Sequence, residues 1–210
     1  MNDFLESVAK SAKERYGRRF AEMGVSPRTL GWGSKEDQLT RFQVMTEQID
    51  FAGSTLMDIG CGFADFWKYL AAMERLPDHY IGVDLMEQFI AHNQETYPEA
   101  QFICCDFMRQ PEQLPEVDYV ISNGTMNFKL SDNLSYTRKF LQTAFIKAKK
   151  GLVVDFLSTI YTPDYPPEDT VYYHSPKDVL DLAFELTPNV RLIHNYAPIP
   201  QKEFMIILER

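Results

Sequence analysis

The chain has 210 residues, 45% of them apolar, which is enough for one sizeable core and fits one domain or one domain with an appendage. Its 21 Lys and Arg stand against 30 Asp and Glu, a formal net charge of -9 that counts against nucleic acid as a partner, because phosphate backbones call for clustered basic side chains. The cysteines, Cys61, Cys104 and Cys105, form neither a disulfide framework nor a metal-ligand spacing, so a reducing compartment and no metal are expected.

The first residues, "MNDFLESVAKSAKERYGRRF", mix charged and apolar side chains, and they lack the basic and then apolar regions of a signal peptide. No apolar run is long enough to span a bilayer, so a soluble, cytoplasmic protein without a membrane partner is expected. Phe4, Leu5, Val8, Ala9, Ala12 and Tyr16 recur at helical spacing and predict an amphipathic helix over 3–16. A loop bearing Pro27, Gly31 and Gly33 follows. Ser34 is then a fitting N-cap, with Glu36 and Asp37 in the first turn of a helix over 35–50.

Beyond residue 50, apolar strands alternate with amphipathic helices. Strands are expected at 55–60, 80–84, 101–105, 117–122, 151–157, 190–196 and 203–209, and helices at 64–75, 86–97, 133–148 and 176–186. "TLMDIG", "YIGVDL" and "GLVVDFL" are apolar nearly throughout, as strands covered by helices on both faces must be. The fold class expected is α/β: a doubly wound, Rossmann-like, seven-stranded and mostly parallel sheet with an antiparallel last strand. Only "APIPQK" separates the last two strands, too little for a crossover helix. Residues 1–50 would form a helical lid and 51–210 the main domain. The "KAKK" run at 147–150, just before Gly151, suits a helix C-terminus closed by a glycine cap.

The chemistry concentrates at strand ends. In "DIGCGFAD", Gly60 and Gly62 allow positive φ and close approach of a ligand to the backbone, with the free N–H groups of a helix start behind them. A dinucleotide fingerprint would carry glycine where Asp65 stands, and a carboxylate there repels a pyrophosphate. Asp84, closing "YIGVDL" with Leu85 after it, can accept from both hydroxyls of a ribose. Asp106, closing "FICCDF", can accept from an adenine amino group with Phe107 against the ring, and Asp58 is available to an ammonium group. Singly, each acid is as well explained as a turn or helix cap; three in this order and spacing describe an adenosine pocket.

These residues resemble the class I S-adenosylmethionine-dependent methyltransferases, in which an acidic glycine loop and acidic ends of the second and third strands recur in this order. The likeness covers about residues 50–210. A narrower resemblance, to a largely uncharacterised family of bacterial small-molecule methyltransferases, rests on "YGRRFAEMGVSPRTLGWGSKEDQLTRF", "DYVISNGTMNFK", "YYHSP", "HNY" and "EF". Asn123 and Met126 depart from that family's SGxFN segment, where serine and phenylalanine are usual.

The resemblance implies S-adenosylmethionine as cofactor, S-adenosylhomocysteine as product and a small-molecule methyl acceptor. It places Trp32 and Arg41 over the cofactor, with Arg41 near its carboxylate; a salt bridge of Arg41 to Glu36, Asp37 or Asp58 explains it equally from sequence. Asn123 could orient the acceptor or bond the donor's amino-acid portion, or serve a turn. Tyr16, Met126, Asn127, Tyr172 and Tyr173 are the acceptor-side candidates. His174 and His194 are candidate general bases, against a helix-flanking and a sheet-packing explanation respectively. The rival functions are a catalytically silent nucleoside-binding protein and a nicotinamide-dependent oxidoreductase.

Overall fold

The computed structural model describes residues 2–163, 166–196 and 202–210. In chain order the elements are α1 (Asn2–Met23), α2 (Pro27–Leu30), α3 (Lys35–Gln48), β1 (Thr55–Ile59), α4 (Asp65–Ala72), β2 (His79–Asp84), α5 (Glu87–Thr96), β3 (Gln101–Cys104), β4 (Val117–Ser122), α6 (Asn133–Lys147), β5 (Ala148–Leu157), α7 (Pro176–Phe184), β6 (Val190–Ile193) and β7 (Glu203–Glu209). Among the described residues the sheet has seven strands in the order β3-β2-β1-β4-β5-β7-β6. The α/β, Rossmann-like class expected from the strand pattern is the one observed. Two compact units are distinguished, Met1–Leu114 and Pro115–Arg210.

In the first unit, β1 pairs in parallel with β2 and β2 with β3, which aligns the carboxyl ends of all three strands. Leu56, Met57 and Val83 are buried, as strands with helices on both faces require. Helix α1 runs past the expected residue 16 because Phe20 continues the apolar stripe one turn beyond Tyr16. Both pack on Phe63, Met86 and Phe89. The helix stops at Gly24, whose positive φ lets its N–H bond the Phe20 carbonyl at 2.8 Å. Within the expected loop lies the short helix α2, capped by Ser26 and ended by Gly31 at φ 88°. Ser34 caps α3 as expected, accepting from Asp37 N at 3.0 Å.

In the second unit, β4 and β5 are parallel, and β7 runs antiparallel to both β5 and β6. The antiparallel pairing expected at the chain's end is present; its connecting loop falls largely on residues 197–201, outside the described residues. One expectation is overturned. "KAKK" is not a glycine-capped helix end: α6 ends at Lys147, Ala148 already pairs with Val117, and Gly151 lies inside β5 opposite Tyr119 and Glu209. A Cβ on Gly151 would come within 3.2 Å of the Leu208 carbonyl oxygen, so glycine is needed there for close strand approach. Lys150 points to Asp118 at 3.2 Å.

Candidate functional site

The turn after β1 is shaped by backbone bonds. Gly60 N and Cys61 N both donate to the Val83 carbonyl of β2, at 2.7 and 3.1 Å, which folds the turn over the end of that strand. Gly60 and Gly62 have φ of 77° and 52°, a region that side-chain-bearing residues enter at a cost of about 1–2 kcal/mol. From α5, Asn93 donates to the Gly62 carbonyl at 2.8 Å and holds the turn from behind. Leu30 of α2 lies so close that a Cβ on Gly62 would stand 2.8 Å from its Cδ1.

Three carboxylates stand at or just beyond the carboxyl ends of β1, β2 and β3. Asp84, half-buried at the end of β2, accepts from Gly62 N at 3.0 Å and from Met86 N at 2.9 Å. Burial pushes its pKa up to about 6 in spite of those bonds. Asp58 is buried in β1 and accepts from the Tyr80 hydroxyl at 2.6 Å. Burial raises its pKa to about 7, and the negative charges of Asp84 and Asp65 add to the rise while the Tyr80 bond opposes it. Asp106 follows β3. One of its oxygens accepts from Arg109 N at 3.2 Å, and burial holds its pKa above the usual range. The other, Oδ2, is buried and accepts no hydrogen bond among the described residues, although Arg109 Nη1 stands 3.8 Å away. Phe107 beside it is buried, and the half-buried Leu85 turns its carbonyl toward Cys104 Sγ at 3.9 Å.

The leader elements border the same turn. Trp32 is half-buried, and the Arg41 guanidinium carbon lies 4.5 Å from its ring centroid. Of the partners weighed for Arg41, Asp37 is met through its backbone: Arg41 Nη1 donates to that carbonyl at 3.4 Å. Asp65 opens α4, accepts from Gln38 at 3.0 Å and pairs with Lys68. Tyr16, expected on the acceptor side, has its ring edge-on to Phe89, with centroids 6.3 Å apart. Burial and the neighbouring Asp84 raise the pKa of its phenol, which puts the hydroxyl in the field of that carboxylate.

The second unit carries the remaining candidates. Asn123, Met126 and Asn127 follow β4; Met126 is buried, and Gly124 N donates to Asp155 Oδ1 of β5 at 2.6 Å. His174 is 2% exposed, its Nε2 3.0 Å from Thr137 Oγ1 and its ring edge-on to Phe156 and Tyr172. Burial lowers its pKa to about 3. A general base works best with access to the acceptor and a pKa near 7, and the Thr137 contact at Nε2 leaves Nδ1 as the nitrogen of His174 that is open to such a role. Tyr173 is buried, its hydroxyl accepting from Glu168 N at 2.9 Å, whereas Tyr172 is half-buried. His194 follows β6, its ring 5.7 Å from that of Phe204.

Sequence reasoning missed Tyr80, Asn93, Leu30 and Gln38 as neighbours of the turn. Asn93 could have been found, since it sits on the apolar stripe of α5 with Phe89 and Ile90, where an amide needs a specific partner. The other three are ordinary residues whose contacts exist only after the chain has folded.

The donor set fits a nucleoside attached to a cationic amino acid. Carboxylates meet hydroxyl, amino and ammonium groups and repel phosphates. Gly60 and Gly62 present backbone where a side chain would intrude, and the Asp106 oxygen that lacks a donor suits an adenine amino group.

Comparison with known proteins bears on the fold and on the central part of the chain. Residues 56–145 match the family model described as a methyltransferase domain. No curated protein sequence matches the chain. Among solved structures, the chain resembles magnesium protoporphyrin IX methyltransferase from Synechocystis PCC 6803 with bound S-adenosylhomocysteine. The TM-score is 0.64 and the identity 14%, over 98% of this chain and 96% of that one. A SAM-dependent methyltransferase from Aquifex aeolicus matches with TM-score 0.56 and 21% identity over 79% and 86%. A chain of the Pnkp1/Rnl/Hen1 RNA repair complex matches with TM-score 0.60 and 10% identity over 84% and 42%. At such identities the structures speak for the fold, which is shared with S-adenosylmethionine-dependent methyltransferases, and residues 56–145 carry the match to a methyltransferase domain.

Proposed function

We propose that the protein methylates an oxygen or nitrogen nucleophile of a small molecule, with the donor held in the first unit. The observation that carries the donor assignment is the set of three acids at successive strand ends, of which Asp106 keeps a buried oxygen without a hydrogen-bond donor among the described residues. In this reading Asp84 takes the ribose hydroxyls, Asp106 and Phe107 the adenine, and Asp58 and the Gly60–Gly62 turn the amino-acid portion. Trp32 and Arg41 cover it, with the Arg41 charge toward the carboxylate. Leu85 flanks the ribose. Residues 1–50 act as a lid, and Tyr16 belongs to the donor side because it neighbours Asp84.

When bound, S-adenosylmethionine supplies an already activated methyl group, so the protein's own contribution is alignment and exclusion of water. Asn123, Asn127 and Tyr172 orient the acceptor, and the acceptor supplies its own nucleophilic lone pair. The acceptor is proposed to be a small molecule because the chain is acidic, at -9; an anionic polymer would meet repulsion. No described helix is long and apolar enough to cross a membrane, and the free cysteines fit a cytoplasmic setting.

The test has two stages. S-Adenosylhomocysteine should raise the melting temperature and NADH should not, and Asp84→Ala should remove the shift. Consumption of S-adenosylmethionine with a metabolite pool should then show turnover; binding without turnover across the pool would favour the silent nucleoside-binding protein.

A further inference from the structure

We propose that the acceptor presents a lactam- or carboxamide-type edge, an N–H beside a C=O, which is recognised by the amide of Asn123 with Asn127 and His174 around it. The proposal rests on the methyltransferase reading above and adds the chemical class of the acceptor. Its first support is the state of Asn123: Oδ1 and Nδ2 are both buried, and neither has a hydrogen-bond partner among the described residues. Folded proteins seldom leave a whole side-chain amide unsatisfied, and such a group in an interior marks a missing ligand or water.

The amide is not alone. Asn127 Oδ1 and His174 Nδ1 are likewise buried without partners among the described residues. Backbone bonds tie their segments together. Tyr172 N donates to the Asn127 carbonyl at 3.0 Å, Phe128 bridges Val171, and His174 N donates to the Leu157 carbonyl at 2.7 Å at the end of β5. His174 is held at its other nitrogen by Thr137 and at its faces by Phe156 and Tyr172, so the direction of Nδ1 is fixed by packing. Asn123 extends from the carboxyl end of β4, where ligands of parallel sheets bind.

The chemistry of the unsatisfied atoms selects the ligand. A primary amide offers a donor and an acceptor side by side, and two antiparallel hydrogen bonds complete it when the ligand offers the same pair reversed. Hydrocarbon ligands would leave the amide unsatisfied. Anionic ligands would approach Asp155, which is buried and already committed to Gly124 N at 2.6 Å. A neutral lactam or carboxamide edge meets both conditions.

The probe is 2-pyridone, a small ring carrying the edge, with N-methyl-2-pyridone and benzoate as controls. Binding is read by ligand-observed NMR with S-adenosylhomocysteine present. 2-Pyridone should bind at least about tenfold more tightly than either control, because a site built to bond an N–H rejects an analogue without it. Asn123→Leu should abolish that preference while keeping the melting-temperature rise given by S-adenosylhomocysteine. Should Asn123→Leu fail to fold, Asn123→Ala, which removes both halves of the amide edge, replaces it and should bring the two pyridones within threefold. Equal binding of the pyridones to the wild type, tighter binding of benzoate, or no binding of any probe overturns the proposal, since ordered waters then satisfy the amide. Absence of the S-adenosylhomocysteine shift would instead overturn the donor reading, whatever the pyridones do.

Discussion

The Tyr80 hydroxyl donates to Asp58 Oδ2 at 2.6 Å, wholly inside the first unit and directly below the glycine turn. It holds an acid in β1 from the neighbouring β2, and opposes the rise that burial imposes on the carboxyl's pKa. Tyr80→Phe removes this donor and leaves Asp58 buried with one partner fewer, a loss of about 1–3 kcal/mol. The melting temperature should fall by several degrees, and S-adenosylhomocysteine should bind more weakly at pH 7 because Asp58 then stays protonated. Thermal melts with and without the ligand check both; an unchanged affinity would separate Asp58 from the donor's ammonium group.

The acids beside the turn make stability and donor binding respond to pH in opposite directions. Asp58 and Asp84 have folded pKa values of about 7 and about 6, against about 4 in an unfolded chain. Between pH 4 and 7 the folded state therefore binds more protons, and the stability that these two groups contribute falls as pH rises through that window. A cationic donor needs them ionised, so its affinity should rise over the same range, by up to about tenfold per pH unit for each group below its pKa. Titration calorimetry with S-adenosylhomocysteine from pH 5.5 to 8, and melts of wild type beside Asp58→Asn, should show the two opposing slopes. The Asp58→Asn chain should lose part of each.

The strand ends were legible because their pattern is local: an apolar run, a turn residue and an acid need no tertiary knowledge to be read. The sheet class followed from strands that are apolar on both faces. What escaped was set by long-range packing. The side chain of Tyr16 meets Phe89 because of how α1 docks, and Asp58 reaches Tyr80 through strand pairing. The lysines before Gly151 carry the composition of a helix end, yet pairing of Ala148 with Val117 and of Gly151 with its neighbours draws them into β5. Tertiary contacts override local preference most readily at such junctions.

His174 gives a pH response of the opposite sign within the second unit. Its folded pKa of about 3 lies below the usual histidine value because burial disfavours the charged ring. The unfolded chain takes up its proton near pH 6.5 and the folded chain does not, so stability drops as pH falls below that value, by about 1.4 kcal/mol per pH unit. His174→Gln should reduce this acid sensitivity while keeping a hydrogen bond to Thr137. Denaturant melts of both chains at pH 7.5 and 5.5 should show the wild type losing more than the variant. Equal losses would mean that the ring is protonated in place and that His174 is open to solvent.

The contact between Leu30 and Gly62 provides a test of how closely α2 sits on the turn after β1. Gly62→Ala introduces two separable penalties. The residue holds φ at 52°, which costs an alanine about 1–2 kcal/mol, and its new Cβ would stand 2.8 Å from Leu30 Cδ1. Overpacking of this kind adds about 1–3 kcal/mol. Leu30→Ala clears the second penalty and leaves the first, while itself giving up apolar contact with Phe63, Met86 and Phe89. The double variant should therefore be more stable than the sum of the single changes predicts, with a coupling of about 1 kcal/mol or more in a double-mutant cycle. Additive losses would mean that Leu30 swings away without cost and that α2 is not seated on the turn. S-Adenosylhomocysteine binding to Leu30→Ala, measured beside the cycle, should release faster than from the wild type, as expected of a lid whose apolar contact has been trimmed.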